Sequence, residues 1–310
     1  MRNHPVRSRV PMLVAATACW GFGTVVTKQV LDDVAPLTLL PIQLAASCLL
    51  LAAVAALTRA RRVRSDRFRW SLQTGGLAAL GVLNPGLAYA LGLLGLTTIS
   101  ASMSVLLWAA EPVLILLLAA ALLRERFPGA LAAALGTAIV GVLLVVYEPG
   151  TAGDAAGVVL TLSAVGACAL YTVLTRRLLL DDATLPLVLT QQVAALLFAL
   201  LLATGVQLTT GNGWSVGNLP GATWVAAAAS GVLYYGLAFW FYLAGLRQVP
   251  ASVAGAFLPL IPVFGVAAGY LVGERLGGRQ WTGAAIVVIA TVAIAVQQTR
   301  ADQRVRGSIV

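Results

Sequence analysis

The chain has 310 residues, of which 60% are hydrophobic and only 10% are charged, and its mean hydropathy is +0.92. A soluble domain carries about a quarter charged residues, so this composition excludes a water-soluble globular protein. The net charge of +9 comes from arginines that are spread over alternate loops, which excludes a nucleic-acid-binding patch.

Apolar stretches long enough to cross a bilayer recur along the whole chain. A transmembrane helix needs about 20 apolar residues to cross a hydrocarbon core of roughly 30 Å. Helices are expected rather than barrel strands, because stretches of this length can satisfy their backbone polar groups internally. Ten stretches qualify, at residues 12–30, 36–58, 71–95, 99–123, 129–147, 155–174, 186–207, 222–243, 251–272 and 279–297.

The basic residues predict how these helices are oriented. All Lys and Arg residues except Lys28, Arg275 and Arg279 fall on one side of a ten-helix topology. Cytoplasmic loops of membrane proteins carry this excess of positive charge, so both termini are predicted to be cytoplasmic, in a bacterial inner membrane. The basic loop at residues 59–70 is then expected to face lipid headgroups.

Residues 1–150 and residues 151–310 repeat one pattern and are predicted to form two structural repeats. Each half holds five helices, an odd number, so the second half is expected to be inverted, with residue 125 cytoplasmic and residue 274 external. Inverted repeats around a midplane site are typical of secondary transporters. At an offset of 150, the matching pairs are Gly95 with Gly245, Ala101 with Ala251, and Pro112 with Pro262. At an offset of 149, Gln43 matches Gln192 and Glu125 matches Glu274.

The sequence lacks the motifs of common enzyme classes. Lys28 is the only lysine, which excludes the G-K-[ST] phosphate loop of ATPases. His4 is the only histidine and lies in the N-terminal tail, which excludes a histidine-based metal site or catalytic triad. The three cysteines fall inside predicted helices, where they suit buried apolar positions. We therefore predict a transporter without cofactor or metal rather than an enzyme.

Glu111 is the only acidic residue well inside a predicted helix. Ser104 and Trp108 share its helix face by i, i+4, i+7 spacing, and a carboxylate at this depth usually faces a cavity. Pro112 follows and removes a backbone donor, which is expected to free the Trp108 carbonyl at a point where the helix can kink. Two interpretations stay open. Glu111 either lines the path of a substrate or is a structural acid that a neighbouring helix satisfies.

Aromatic side chains form the second part of the predicted site. Tyr235, Phe239 and Tyr242 share one face of helix eight by the same spacing. This face either binds a ligand by stacking and hydrogen bonding or packs against lipid or another helix. Trp20 and Tyr171 are expected at comparable depths on helices one and six. A cavity lined by polar aromatic side chains with few charges suits a small amphiphile.

Prolines predict the mobile parts of the molecule. Asn84 and Pro85 are expected to break helix three near the middle of the bilayer, with Tyr89 one turn later in the cavity. Pro259 and Pro262 are expected to free two backbone carbonyls, each four residues upstream, in helix nine. The predicted gate or hinge positions are Pro85, Pro112, Pro259 and Pro262.

Two segments of the chain carry a resemblance to a known family. The sequences PVLILLLAAALLRERF, from residue 112, and PVFGVAAGYLVGERLGG, from residue 262, share a proline, an apolar run and a Glu-Arg turn, and a glycine-containing helix follows each. They resemble the paired EamA domains of the drug/metabolite transporter superfamily, and the chain is most similar in character to its bacterial amino-acid exporters, including the aromatic branch. The resemblance implies a ten-helix inverted-repeat basket, with helices one, three, four, six, eight and nine around a central cavity, and efflux without ATP.

The leading hypothesis is therefore an exporter of amino acids and related small metabolites, with membrane lipids around it and a midplane binding site. One alternative keeps this fold and exports drugs or nucleosides. Another is a non-transporting membrane scaffold or an intramembrane enzyme, the latter requiring two close carboxylates at depth.

Overall fold

The computed structural model describes residues 9–61, 72–95, 98, 107–108, 110–125, 127–146, 154–178, 184–211, 219–271 and 278–307. The first half of the chain forms α1 (Arg9–Leu31), α2 (Pro36–Arg61), α3 (Leu72–Gly81, Val82–Leu87 and Ala88–Gly95), α4 (Glu111–Leu123) and α5 (Gly129–Val146). The second half forms α6 (Ala155–Leu178), α7 (Thr184–Thr210), α8 (Gly221–Gly231, Val232–Leu237 and Ala238–Leu246), α9 (Ala251–Gly255 and Leu260–Leu271) and α10 (Gly278–Gly307). The ten predicted helices are confirmed, and α10 continues about ten residues past its predicted end.

The outer surface of the helix bundle is apolar. Six helices contain a segment long and apolar enough to cross a membrane, and four shorter apolar helices accompany them. Large aliphatic side chains point outward, including Leu49, Leu201 and Leu271, which are 73%, 75% and 76% exposed. Contiguous apolar surface of this kind is unfavourable in water and favourable in lipid. The chain is a multi-pass membrane protein.

The two repeats interleave around a pseudo-twofold axis. α1 of the first repeat packs on α8 and α9 of the second, and α6, its counterpart in the second repeat, packs on α3 and α4 of the first. The two second helices, α2 and α7, pack on each other, as do the two fifth helices, α5 and α10. Because each repeat has five helices, this pairing is that of two inverted repeats.

α3 and α8 each contain a π-helical turn at the same place in the repeat, Val82–Leu87 and Val232–Leu237. Such a turn holds one extra residue and often marks a functional site. In α3, Asn84 has a non-helical conformation with φ −150° and ψ 121°, and the peptide bond between Asn84 and Pro85 is cis. The predicted break in helix three is confirmed.

Residues 107 and 108 are helical, and the helix is interrupted just before Pro112. Ala110 forms a turn in which its N–H donates to the Leu107 carbonyl at 3.1 Å, and α4 begins only at Glu111. Pro112 lies in the first turn of α4, where its missing N–H would have no partner within the helix.

α9 is interrupted at residues 256–259, and the two carbonyls that its prolines were predicted to free have other hydrogen-bond donors. The carbonyl of Gly255 accepts a hydrogen bond from Leu258 N–H at 3.0 Å. The Leu258 carbonyl accepts one from Ile261 N–H at 2.9 Å. Between the two pieces of α9 the backbone hydrogen bonds are of the i→i+3 type. Each carbonyl therefore accepts from the residue three positions later, in place of the proline four positions later. Pro259 and Pro262 flank the start of the second piece.

Two buried glutamines connect the helices at equivalent places. Gln43 on α2 donates to Thr27 Oγ1 on α1 at 2.9 Å and to Ser230 Oγ on α8 at 2.8 Å. Gln191 on α7 accepts from the Tyr171 hydroxyl on α6 at 2.9 Å and donates to the Leu77 carbonyl on α3 at 2.9 Å. In the structure, Gln43 therefore corresponds to Gln191. The sequence repeat pairs Gln43 with the next residue, Gln192, and that pairing is corrected here.

Glycines allow the helices to cross beside these glutamines. A Cβ atom at Gly81 would overlap the backbone of Gln191, and one at Gly231 would overlap the backbone of Gln43. Backbone atoms cannot move aside as a flexible side chain can, so both crossings require glycine.

Gly231→Ala is expected to lower the free energy of unfolding by about 1–3 kcal/mol through overpacking. The measurement is the melting temperature of the purified protein in detergent. Gly205→Ala on α7 is the matched control, because nothing lies within 4 Å of the added Cβ. The control is expected to be neutral or slightly stabilising, since alanine favours helix. Equal melting temperatures for the two variants would contradict the close crossing.

Candidate functional site

Aromatic side chains from four helices, together with Trp108 just before α4, meet where the two repeats interleave. Tyr89 on α3 is central, with ring centroids 5.9 Å from Trp108 in a stacked pair and 5.4 Å and 5.3 Å from Tyr234 and Tyr235 in edge-to-face pairs. Offset stacking and edge-to-face pairs are the favourable geometries of aromatic rings. The set, called here the aromatic cluster, consists of Trp20, Tyr89, Trp108, Tyr171, Tyr234, Tyr235, Phe239 and Tyr242.

The face of α8 predicted from its spacing points into the protein, not to lipid. The ring centroid of Phe239 lies 5.5 Å from that of Trp20, 6.1 Å from that of Tyr171 and 6.4 Å from that of Tyr235. Tyr242 contacts Trp20 at 5.2 Å. All five side chains are buried. The lipid-facing interpretation of this face is therefore wrong.

Burial differs across the aromatic cluster. Trp20 and the residues around it are buried, whereas Tyr89, Trp108 and Tyr234 are half-buried. Glu111, three residues after Trp108, is half-buried as well. The half-buried members adjoin one another through Tyr89, so the accessible surface of the cluster lies beside Tyr89, Trp108 and Tyr234. A small molecule that enters there meets aromatic faces and one carboxyl group.

Glu111 occupies the first turn of α4, and Arg124 caps the other end of that helix. At 1.5 Å per residue these positions lie about 20 Å apart, so Glu111 is deep within a hydrocarbon core of roughly 30 Å. Trp108, a member of the aromatic cluster, lies three residues earlier in the chain. An acidic group in a first helical turn also complements the helix dipole. Glu111 thus stabilises the start of α4 and also lies beside the aromatic cluster.

Among the other residues predicted for the site, some have side-chain polar atoms already held in hydrogen bonds and some do not. The Tyr171 hydroxyl is committed to Gln191, so Tyr171 contributes only its ring to the centre. Asn84 is buried in the π turn of α3, and its Oδ1 has no hydrogen-bond partner among the described residues. Ser104 lies outside the residues that the structure describes.

Tyr234 belongs to the cluster, and the helical spacing of α8 did not predict it. In a regular helix, neighbours such as Tyr234 and Tyr235 point about 100° apart. Both nevertheless contact Tyr89, because they lie within the π turn of α8. The repeat offers the missing signal, since Tyr234 occupies the position of Asn84, the residue at which α3 is broken.

Hydrogen bonds to carboxylates tie the two repeats together at both ends of α8. Near its start, Thr223 Oγ1 donates to Asp33 Oδ2 at 3.0 Å, beside the turn between α1 and α2. Beyond its end, Ala251 N–H at the start of α9 donates to Glu125 Oε1 at 3.0 Å. Each connects a helix of the second repeat to a turn of the first. Relative motion of the repeats must therefore change one or both bonds.

Comparison with known proteins agrees with this architecture. One solved crystal structure superimposes on this chain with a TM-score of 0.76 and 20% sequence identity. The match covers 95% of this chain and 98% of the other chain. That likeness concerns the fold alone. No curated protein matches the chain in sequence. The sequence pattern of the EamA-like transporter family matches twice, at residues 8–147 and at residues 155–296. The chain, with its two interleaved five-helix repeats, is therefore a member of the EamA-like transporter family of the drug/metabolite transporter superfamily.

Proposed function

We propose that this transporter exports amino acids and related small amphiphilic metabolites across the bacterial inner membrane by alternating access, with broad specificity. The observation that carries the proposal is the placement of Glu111 beside the aromatic cluster, at the junction of the two inverted repeats. Inverted-repeat transporters bind their substrates at such a junction and rock the repeats around it.

The chemistry of the site suits a cationic amine attached to an apolar group. A substrate ammonium group is attracted by the Glu111 carboxylate and by the faces of Tyr89 and Trp108, since aromatic rings bind cations through their quadrupole. The remaining rings accept the apolar part. Few charged groups hold the substrate, so discrimination rests mainly on size and apolar contact, which supports broad specificity. The sequence has no phosphate loop, so the proposed transport is driven by gradients of substrate or ions.

One observation favours a second candidate, efflux of amphiphilic organic cations. A monovalent organic cation needs only a carboxylate and aromatic faces, both present around Glu111 and Trp108. This candidate keeps the fold, the site and the direction of transport, and differs from the first only in substrate class.

Counterflow in liposomes distinguishes the two candidates. The purified protein is reconstituted and tested with a panel of amino acids and with tetraphenylphosphonium, an organic cation without a carboxylate. Uptake of amino acids above protein-free liposomes supports the first candidate, and uptake of the cation alone supports the second. Failure to move any member of either panel contradicts the proposed function.

The proposed orientation places both termini in the cytoplasm, and labelling of single cysteines tests it. Asp32→Cys lies in the turn after α1 and Gln248→Cys follows α8, and both positions are exposed. In a background with Cys19, Cys48 and Cys168 replaced by alanine, an impermeant maleimide added to intact cells is expected to label position 32. Position 248 should be labelled only after permeabilisation, because the basic loops favour the cytoplasm. The reverse pattern would overturn the orientation.

A further inference from the structure

Two hydrogen-bond donors are buried in the aromatic cluster without acceptors. Trp20 and Tyr242 are 6% and 3% exposed, and neither Trp20 Nε1 nor the Tyr242 hydroxyl has a hydrogen-bond partner among the described residues. The side chain of Thr172 is near the Tyr242 hydroxyl but does not meet hydrogen-bond geometry. Buried tryptophan and tyrosine normally find partners for these groups, and leaving them unsatisfied is costly.

The two rings that carry these donors are in contact and belong to helices of opposite repeats. Trp20 is on α1 and Tyr242 is on α8, and their rings meet edge to face with centroids 5.2 Å apart. Phe239 also contacts the indole ring of Trp20 edge to face, with ring centroids 5.5 Å apart. A ligand that accepts from both donors is bound by both repeats at once.

The polarity of this pair is opposite to that of Glu111. An indole N–H is only a donor, and a phenol can donate as well, so the pair suits an acceptor group with two oxygens. Glu111 is in the first turn of α4, three residues after Trp108 of the cluster. A small molecule that reaches both would meet a carboxylate at one end and two donors at the other.

We propose that Trp20 Nε1–H and the Tyr242 hydroxyl form the subsite for the carboxylate of the substrate. The inference rests on the proposed function and deepens it, because it assigns the two ends of a zwitterion to separate parts of the site. The ammonium group lies toward Glu111, and the carboxylate bridges α1 and α8. Neutral donors in an apolar surrounding bind a carboxylate strongly, since a hydrogen bond to an ionised group is about twice as strong as a neutral one.

Tyr242→Phe tests the subsite with the least disturbance, because it removes one oxygen atom and keeps the ring. The probes are L-phenylalanine and phenethylamine, which differ only in the carboxylate. Tyr242→Phe is expected to raise the KM for phenylalanine counterflow about 10-fold or more and to change the KM for phenethylamine less than about 2-fold. Trp20→Phe removes the other donor and is expected to show the same selectivity.

Stability separates a binding role from a structural one. Removal of a hydroxyl that has no partner is expected to leave the melting temperature of Tyr242→Phe unchanged or raised. Tyr171→Phe is the matched control, because its hydroxyl is bonded to Gln191, and its removal should lower the melting temperature without changing the ratio of the two KM values.

Each outcome decides a different point. An unchanged KM ratio in both Tyr242→Phe and Trp20→Phe overturns the subsite and leaves amino-acid export standing. An equal rise in KM for both probes also overturns it, since the donors would then act only through packing. If the wild type moves no amino acid, the proposed function falls, and the subsite falls with it.

Discussion

Trp108→Ala is expected to lower substrate flux about 10-fold or more, which corresponds to roughly 1.4 kcal/mol of binding free energy. Trp108 is half-buried, stacks on Tyr89 at 5.9 Å and borders the accessible side of the cluster next to Glu111. Its loss removes an aromatic face for the substrate, whereas a packed core position would mainly lose stability. The measurement is counterflow in liposomes compared with the melting temperature in detergent.

Trp240→Ala is the matched control for this prediction. Trp240 is also half-buried and stacks on Phe241 at 6.0 Å, but neither residue belongs to the aromatic cluster. The control removes the same side chain from the same protein and is expected to keep most of the flux. Trp108→Phe, which keeps a ring against Tyr89, is expected to recover part of it. Unchanged flux in Trp108→Ala, or an unfolded variant, would show that Trp108 is not a wall of the site.

Glu111→Gln is expected to weaken transport of amine-bearing substrates about 10-fold or more and to leave uncharged substrates nearly unaffected. The amide keeps the shape of the carboxyl group but cannot ionise, and a hydrogen bond to a charged group contributes about 1.5–3 kcal/mol. The comparison uses KM values for L-phenylalanine and for an uncharged analogue such as N-acetyl-phenylalaninamide. Loss of the first-turn acid also removes a helix-dipole interaction of about 0.3–1 kcal/mol, which appears in the melting temperature.

Glu125→Gln provides the control for the loss of an acid elsewhere. Glu125 is half-buried after α4 and accepts a hydrogen bond from Ala251 N–H, outside the aromatic cluster. Its replacement is expected to change flux equally for charged and uncharged substrates. If Glu111→Gln also affects both substrates equally, its role is structural or conformational, and recognition of the ammonium group by Glu111 is excluded.

The predicted breaks show where local sequence rules apply and where they do not. Pro85 was expected to interrupt α3, and it does, because a proline without N–H inside a helix always costs a backbone hydrogen bond. Pro112 obeys the same rule but lies in a first turn, where no bond is lost. The sequence could not distinguish these cases, because the start of α4 depends on the turn at Ala110.

Part of the candidate site was predictable and part was not. The common face of Tyr235, Phe239 and Tyr242 follows from helical spacing, and their burial together confirms the grouping. Their orientation toward the centre did not follow, because apolar aromatic side chains suit lipid and protein interior equally. Tyr234 was missed because a π turn shifts the angular spacing of side chains without a sequence signal as clear as proline.

The sequence by itself determined the membrane class, the ten helices and the twofold repeat. These properties depend on hydropathy over about 20 residues and on the similarity of the two halves of the chain, and both can be read from the amino-acid sequence. Only the tertiary structure decided which polar atoms are satisfied. Tyr171 and Tyr242 look alike in sequence, yet the Tyr171 hydroxyl is bonded to Gln191, whereas the Tyr242 hydroxyl has no acceptor within the described part of the chain. A hydrogen bond depends on distances of tenths of an ångström between helices that are far apart in the chain, and these distances arise only when the two repeats pack together.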